Sequence, residues 1–289
     1  MMRTALIDAD VLSYEISSVG QFKDELTGEI IYRNFDDVAE MLDLKIREIL
    51  LESECDKAKL YLTGDSVLNT HINKQHKFLG EKLEVFEPNF RHETAKVKPY
   101  KGTRKQEKPY HFHNLRAYML SEYDCVVSNG IEADDLICID LQYGIDVVAC
   151  TRDKDLRMVT GWHYGWACGK QPAFGPERVD YLGYIKLREG KTKKLDGVGI
   201  KFFFAQVIMG DAVDNIPGLP KKGPVFAYEL LADADSELEC FKRVKQEYIK
   251  VYGDEWEEKL REQVDLLWMI RELDENNNPV FYKFPEEEV

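Results

Sequence analysis

The feature that most constrains this chain is a repeated pairing of short apolar runs with acids at their ends. Thr4–Ile7 ends in Asp8-Ala9-Asp10, and Lys59–Leu62 ends in Thr63-Gly64-Asp65. Cys125–Val127 leads through Asn129-Gly130 to Glu132-Ala133-Asp134-Asp135, and Asp146–Cys150 ends in Thr151-Arg152-Asp153-Lys154-Asp155. A further apolar segment, Phe202–Met209, ends in Gly210-Asp211-Ala212-Val213-Asp214-Asn215. The first four runs read as buried strands, and segments of helical period lie between them at Phe35–Leu51, His113–Ser121 and Asp134–Leu141. Strands alternating with helices predict an α/β fold with a mostly parallel sheet flanked by helices. In such sheets ligands bind beyond the carboxyl ends of the strands, which is where these acids fall.

One acid after one strand is ordinary, as a helix N-cap or a solvated turn. Five clusters in five such places are hard to attribute to capping alone. Glu132 and Asp135 are three apart, as are Asp211 and Asp214, so each pair shares one face of a helical turn. Asp153 and Asp155 are two apart, on one side of an extended segment. Converging carboxylates repel unless a cation lies among them. Mg²⁺ prefers oxygen ligands and is held by a few carboxylates plus substrate phosphate. Two such ions about 4 Å apart can clamp both oxygens of a phosphodiester displacement. The acids therefore predict metal-dependent phosphoryl transfer.

Charge is unevenly spread. The 289 residues carry a formal net charge of −14, which by itself argues against a polyanionic partner. Yet residues 91–116 hold eight Lys or Arg against two Glu, with Tyr100, Tyr110 and Phe112 among them. Lys96, Lys98, Tyr100, Lys101, Arg104 and Lys105 form the centre of this basic arm. Cations interleaved with aromatics suit a phosphate backbone and its unstacked bases. A second basic stretch, 186–201, reads as a hairpin or loop without an assigned role. After Asp214 the run Asn215-Ile216-Pro217-Gly218-Leu219-Pro220-Lys221-Lys222-Gly223-Pro224 reads as a turn between two helices. Such a turn can present Gly218, Lys221 and Lys222 to phosphates without reading sequence.

The remaining composition excludes other classes. No apolar stretch approaches the roughly 20 residues of a membrane span, and the start lacks the apolar run of a signal peptide. Cys55, Cys125, Cys138, Cys150, Cys168 and Cys240 form no C-x-x-C and are expected to be reduced packing residues of a cytoplasmic protein. His111-Phe112-His113 is expected at the surface rather than as a zinc site.

Taken in order, several of these pieces resemble the 5′-nuclease superfamily: flap endonucleases, the 5′-nuclease domain of bacterial DNA polymerase I, and phage 5′→3′ exonucleases. They are Leu6-Ile7-Asp8, Asp65 after a strand, Tyr100-Lys101-Gly102-Thr103-Arg104, Gly130-Ile131-Glu132-Ala133-Asp134-Asp135, Thr151-Arg152-Asp153-Lys154-Asp155, and Met209-Gly210-Asp211-Ala212-Val213-Asp214-Asn215-Ile216-Pro217-Gly218. The short basic arm and Thr63-Gly64-Asp65-Ser66-Val67 look most like the phage branch. The resemblance implies a PIN-like core over residues 1–200, including the arm 91–116, and a helix–hairpin–helix-type DNA-binding subdomain with a C-terminal tail over 201–289. It implies 5′→3′ exonuclease or 5′-flap endonuclease action on DNA, with RNA–DNA hybrids as a further substrate, by a two-metal mechanism. Asp8, Glu132, Asp134 and Asp153 would serve one metal cluster, with Asp135 in the same acid set. Asp155, Asp211 and Asp214 would serve the other, and Asp65 the shared side. Lys101 and Arg104 match the cations that contact the scissile phosphate. Mg²⁺ is the implied cofactor, with Mn²⁺ able to substitute. A K⁺ ion at the hairpin is also raised, and Pro220 and Pro224, lacking N–H donors, weigh against it. The implied partner is DNA with a 5′ end, flap or nick, bound by a monomer without a membrane. A chain lacking a polymerase module points to phage replication or recombination, in the host cytoplasm.

Two other enzyme readings fit parts of the sequence. Ala5-Leu6-Ile7-Asp8-Ala9-Asp10-Val11 matches the nucleophile loop of haloacid-dehalogenase-type phosphohydrolases, with Asp10 as acid/base. A PIN-type ribonuclease fits the acids but not the hairpin. A DNA-structure-binding protein with a dead site is the non-enzyme alternative, and the full acid set argues against it.

Overall fold

The computed structural model describes residues 2–80, 82, 85–103, 107–188, 190 and 192–286. Arg104 and Lys105, both expected to contact DNA, lie outside these residues. In chain order the elements are β1 (Thr4–Asp8), α1 (Ala9–Val19), β2 (Gln21–Lys23), β3 (Ile30–Tyr32), α2 (Phe35–Glu52), β4 (Lys57–Thr63), α3 (Ser66–Leu79), α4 (Arg91–Thr94), α5 (Phe112–Glu122), β5 (Cys125–Ser128), α6 (Ala133–Tyr143), β6 (Val147–Cys150), β7 (Gly161–Gly165), β8 (Phe174–Val179), β9 (Tyr184–Arg188), β10 (Lys194–Val198), α7 (Gly199–Met209), α8 (Pro224–Leu231), α9 (Glu237–Tyr252) and α10 (Trp256–Leu267). A one-turn 3₁₀ helix, Asp155–Met158, follows β6, and a second spans Gly253–Glu255. Among the described residues no helix is long and apolar enough to cross a membrane.

The chain divides into two compact units, each built from separate stretches: 1–89, 106–153 and 161–178 in the first, and 90–105, 154–160 and 179–289 in the second. This differs from the single cut expected at residue 200. The basic arm is split, and residues 179–200 pack with the C-terminal helices.

The first unit is a six-stranded sheet in the order β5-β4-β1-β6-β7-β8. β1 is central and pairs in parallel with both β4 and β6, while β4–β5 and β6–β7 are also parallel. The expected strands thus form, each within two residues of its predicted bounds. The sheet is covered because its apolar residues alternate with the pleat while helix residues recur every three to four positions. On α2, Val38, Leu42, Ile46 and Ile49 are buried, and Asn34 caps the helix by accepting from the Asp37 N–H at 2.8 Å. These residues join Ala5, Ile7, Leu12, Leu60, Leu62, Leu115, Met119, Val148 and Trp166 in one core. Burial of a Leu, Ile or Val side chain is worth roughly 1.5–3 kcal/mol, so this core carries the unit.

The second unit is organised around α7, buried from Gly199 to Ile208. The segment Phe202–Met209 thus forms the helix expected before the turn, and that helix is a core element. Phe203 packs edge-on against Trp268 and tilted against Tyr282, with ring centroids 5.2 and 5.4 Å away. In the second basic stretch β10 pairs antiparallel with β9 and leads into α7. Arg91, counted in the arm as a phosphate-facing cation, is instead internal. Its Nε donates to the Leu266 carbonyl at 3.1 Å and its Nη2 to the Trp268 carbonyl at 2.7 Å. All six cysteines are free thiols, as expected. His111 is buried, with Nε2 2.9 Å from the Arg33 carbonyl oxygen, so the expectation of a surface position fails there.

Arg91→Met keeps the aliphatic volume but leaves two buried carbonyls without their donors. It is expected to cost about 2–4 kcal/mol of unfolding free energy. A urea titration by circular dichroism checks this, and a cost under 0.5 kcal/mol would contradict the role given to Arg91.

Candidate active site

The parallel strands of the first unit deliver their acids to one edge. Asp8 ends β1 and Asp10 lies in the first turn of α1. Asp65 follows β4, Glu132 to Asp135 follow β5, and Asp153 follows β6. The structure therefore brings Asp8, Asp65, Glu132, Asp134, Asp135 and Asp153 to the carboxyl edge of one sheet.

Capping accounts for more of this pattern than the sequence suggested. Asp8 caps α1 by accepting from the Val11 N–H at 3.0 Å. Asp65 caps α3 by accepting from the N–H groups of Val67 and Leu68, each at 2.9 Å. Glu132 caps α6 in a reciprocal box, with the Asp135 carboxylate accepting from the Glu132 N–H at 3.0 Å. A parallel strand running into a helix leaves N–H donors at that edge, and acids satisfy them.

Capping does not require burial, and Asp8 is only 1% exposed. Its second oxygen accepts from the Thr151 hydroxyl at 2.8 Å, and Thr151 Oγ1 accepts from the Asp153 N–H at 2.9 Å. That relay links the ends of β1 and β6. Burial pushes the Asp8 carboxyl up to about 6, and neighbouring Asp10 adds to the rise. An anion held so far from water is a poor structural choice and a good cation site.

Arg116 was also counted in the basic arm, yet it is buried at this same edge. Its guanidinium pairs with Asp65, donates to the Thr63 carbonyl, and lies 3.2 Å from Asp10. Asp10 also accepts from the Thr63 N–H at 3.0 Å, and Thr63 Oγ1 accepts from the Ala133 N–H at 2.9 Å. Burial works to raise the Asp65 carboxyl, but the Leu68 N–H and the Arg116 guanidinium hold it below the usual range. Asp65 thus acts here as cap and ion-pair partner rather than as an open ligand. Asp10, the acid/base of the phosphohydrolase alternative, is tied down in the same way. Sequence reasoning gave no role to Thr63 and Thr151, which sit inside the acidic runs but are not acids, and counted Arg116 with the basic arm. The available signal was a threonine at the ends of β4 and β6, Thr63 and Thr151.

The second unit holds another group. Lys154 Nζ lies 2.7 Å from both Asp155 Oδ1 and Asp211 Oδ2. Gln206 Nε2 donates to Asp155 at 2.7 Å, and the Val213 N–H donates to Asp211 at 2.7 Å. Burial works to raise the Asp211 carboxyl, but Lys154 holds it below the usual range. Conversely, burial works to lower the Lys154 ammonium, while Asp155 and Asp211 hold it above its usual range. Asp214 accepts from the Tyr100 hydroxyl at 3.1 Å, and its carbonyl accepts from the Lys101 N–H at 3.0 Å. Tyr100 is buried, so its ring is not presented to a base as expected. Lys96 and Lys98 are exposed and Lys101 is half-buried, its ammonium 5.0 Å from the Tyr100 ring.

The turn between α7 and α8 also departs from expectation. The Gly218 N–H donates to Gln263 Oε1 at 3.0 Å, so it is used within the protein rather than offered to phosphate. Gly218 has a φ of +61° and lies directly against Gly210, which has a φ of +72°, so neither position has room for a Cβ. Lys221 is exposed at a φ of +61°. Lys222 is 3.5 Å from Glu247 and stacks at 3.6 Å on the Phe226 ring.

The candidate ligand atoms are all carboxylate oxygens, which suits a hard cation. Among the described residues no three Asp, Glu, His or Cys side chains are gathered closely enough to hold an ion by themselves. One or two carboxylates with water and phosphate remain a sufficient Mg²⁺ set.

No family model matches the chain. It is 31% identical over 131 residues to DNA polymerase I of Rhizobium leguminosarum, covering 42% of this chain and 12% of that protein. It is 29% identical over 197 residues to DNA polymerase I of Bacillus subtilis (strain 168), covering 64% of this chain and 20% of that protein. The chain thus spans a fifth or less of the length of these curated relatives. The structure of bacteriophage T5 5′-exonuclease with divalent metal ions (zinc) bound superimposes with a TM-score of 0.54 at 14% identity, over 91% of this chain and 89% of that one. At that identity the likeness is one of fold.

Between about pH 4 and pH 6 the folded chain retains the Asp8 proton that the unfolded chain has lost, so this contribution to stability falls as pH rises. Above that window the buried charge costs on the order of 3 kcal/mol. Asp8→Asn keeps a capping oxygen and removes the charge. It is expected to stabilise the metal-free protein at pH 7.5 and to flatten this part of the pH profile. Urea titrations from pH 4 to pH 8 check this, and a variant less stable than the parent at pH 7.5 would contradict it.

Proposed function

We propose that this chain, which has the 5′-nuclease fold, is a divalent-metal-dependent 5′→3′ exonuclease and 5′-flap endonuclease acting on DNA. The observation that carries the reading is the delivery of acids to one carboxyl edge of a parallel sheet, with Asp8 buried among them. Sequence similarity to DNA polymerase I and the fold shared with a metal-bound phage 5′-exonuclease support the same reaction class. We place it in phage DNA replication or recombination, on the likeness to the phage enzyme.

In this reading Asp8, Glu132, Asp134 and Asp153 hold Mg²⁺ in the first unit, and Asp155, Asp211 and Asp214 hold it in the second. The ions, when bound, supply Lewis-acid stabilisation of the phosphate and lower the pKa of water. The chain's own residues prepare for this. Thr151 orients Asp8 and fixes the Asp153 backbone. Arg116 neutralises Asp10 and Asp65, so that the edge does not repel its own acids. Lys96, Lys98 and Lys101 offer cations to the DNA backbone, and Lys101 would stabilise charge at the scissile phosphate. Lys221 and Lys222 supply sequence-independent phosphate contacts. A phosphohydrolase of the haloacid-dehalogenase type would need a free Asp10, and its pairing with Arg116 disfavours that alternative.

Asp153→Ala is expected to reduce cleavage by at least 10³-fold while leaving DNA affinity within a few-fold, because one ligand is lost and the cationic surface is kept. Gel-shift and single-turnover assays check this, and full activity would sink the metal assignment. Lys101→Ala is expected to slow single-turnover cleavage about 10²-fold on every sequence. Polarity is tested with duplexes labelled at either end in Mg²⁺. Release from the 5′ end, stopped by EDTA, is expected, whereas 3′→5′ shortening would overturn the reading.

A further inference from the structure

We infer that Lys154 is a built-in counter-ion that holds Asp155 and Asp211 together and is displaced when a divalent cation loads between them. The inference rests on the metal-dependent reading and adds a competitor to it. The ammonium lies 2.7 Å from an oxygen of each carboxylate, so it bridges the pair as an inorganic cation would. Each carboxylate is also oriented from within the same unit, Asp155 by Gln206 and Asp211 by the Val213 N–H. Asp211 is 8% exposed and Asp155 18%, so without a positive charge between them the two anions would repel across a poorly hydrated gap. Lys154 itself is 52% exposed. Its four-carbon stem can swing out, and a strongly hydrated ammonium recovers its water on leaving.

Two consequences follow for the metal. The carboxylate pair is assembled before any ion arrives, which spares the ion the cost of ordering the loop at Asp211. The ion must also expel a resident charge, which weakens its binding. Lys154 therefore sets a threshold concentration for loading the carboxylate pair of the second unit. Asp153, one residue earlier, belongs to the first unit, and its N–H is held by Thr151.

The test uses the full chain without DNA. Mn²⁺ binding is followed by calorimetry and by electron paramagnetic resonance in the parent, Lys154→Met and Lys154→Arg. One Mn²⁺ is expected to bind about tenfold more tightly to Lys154→Met than to the parent, with Lys154→Arg close to the parent, since the first removes the competing charge and the second keeps it. In EDTA, Lys154→Met is expected to melt several degrees below the parent and to recover with Mn²⁺. If Lys154→Met folds only with Mn²⁺, that too supports the inference, and Lys154→Gln then carries the affinity comparison. Equal isotherms for parent and Lys154→Met, with Mn²⁺ bound by both, would overturn the counter-ion role and leave the metal-dependent reading standing. No Mn²⁺ binding by any form would overturn both.

Discussion

The sheet edge of the first unit depends on one buried cation. Arg116 reaches from α5 to Asp65, to the Thr63 carbonyl and to within 3.2 Å of Asp10. It thereby fixes the end of β4, the cap of α3 and the first turn of α1 at once. A guanidinium removed from water is tolerated only when its surroundings repay the lost hydration, and here two carboxylates and a carbonyl do so. Of those carboxylates, Asp10 is the one that acts on Asp8, and its charge adds to the rise that burial imposes there. A planar fork with several donors can hold three partners in fixed directions, which a lysine could not.

The acids at this edge do two jobs that are often treated as alternatives. A strand that runs straight into a helix leaves N–H groups facing the place where a ligand would sit. Asp8, Asp65 and Glu132 satisfy those groups. In doing so they are held in one rotamer at the edge, which is the preorganisation a metal ligand needs. Capping and ligation therefore favour the same residue types at the same positions. The distinction lies in burial. Asp65 is compensated by Arg116, whereas burial and Asp10 together push Asp8 up to about 6.

Much of the fold was legible because apolar period and strand ends are local properties. β1, β4, β5, β6, α2, α5 and α6 follow from runs such as Val38, Leu42, Ile46 and Ile49, whose spacing leaves few alternatives. The acid-bearing ends of the strands follow in turn, and with them Asp8, Glu132, Asp134 and Asp153 at one sheet edge. What could not be read was the destination of each cation. Arg91 and Arg116 sit at either end of a charged stretch and look like their neighbours, yet both are internal. Their partners are Leu266 and Trp268 in one case and Thr63, Asp10 and Asp65 in the other, all distant in sequence. Tyr100 was misjudged for the same reason, because its partner Asp214 lies 114 residues away. The division into units escaped because the chain enters each of them more than once.

The two neighbours Glu262 and Gln263 on α10 tie down different pieces of the second unit. Glu262 accepts from the N–H groups of Lys96 and Val97 at 2.8 and 2.9 Å, and Gln263 accepts from Gly218 at 3.0 Å. One helical turn, itself making no contact expected with DNA, thus sets the spacing between the lysine-bearing strap and the α7–α8 turn. Adjacent residues on a helix differ by about 100° in direction, so a one-residue insertion before Glu262 would turn both side chains away from their partners together. The folding of this surface is consequently governed from behind: the register of α10 decides whether both segments are held at once.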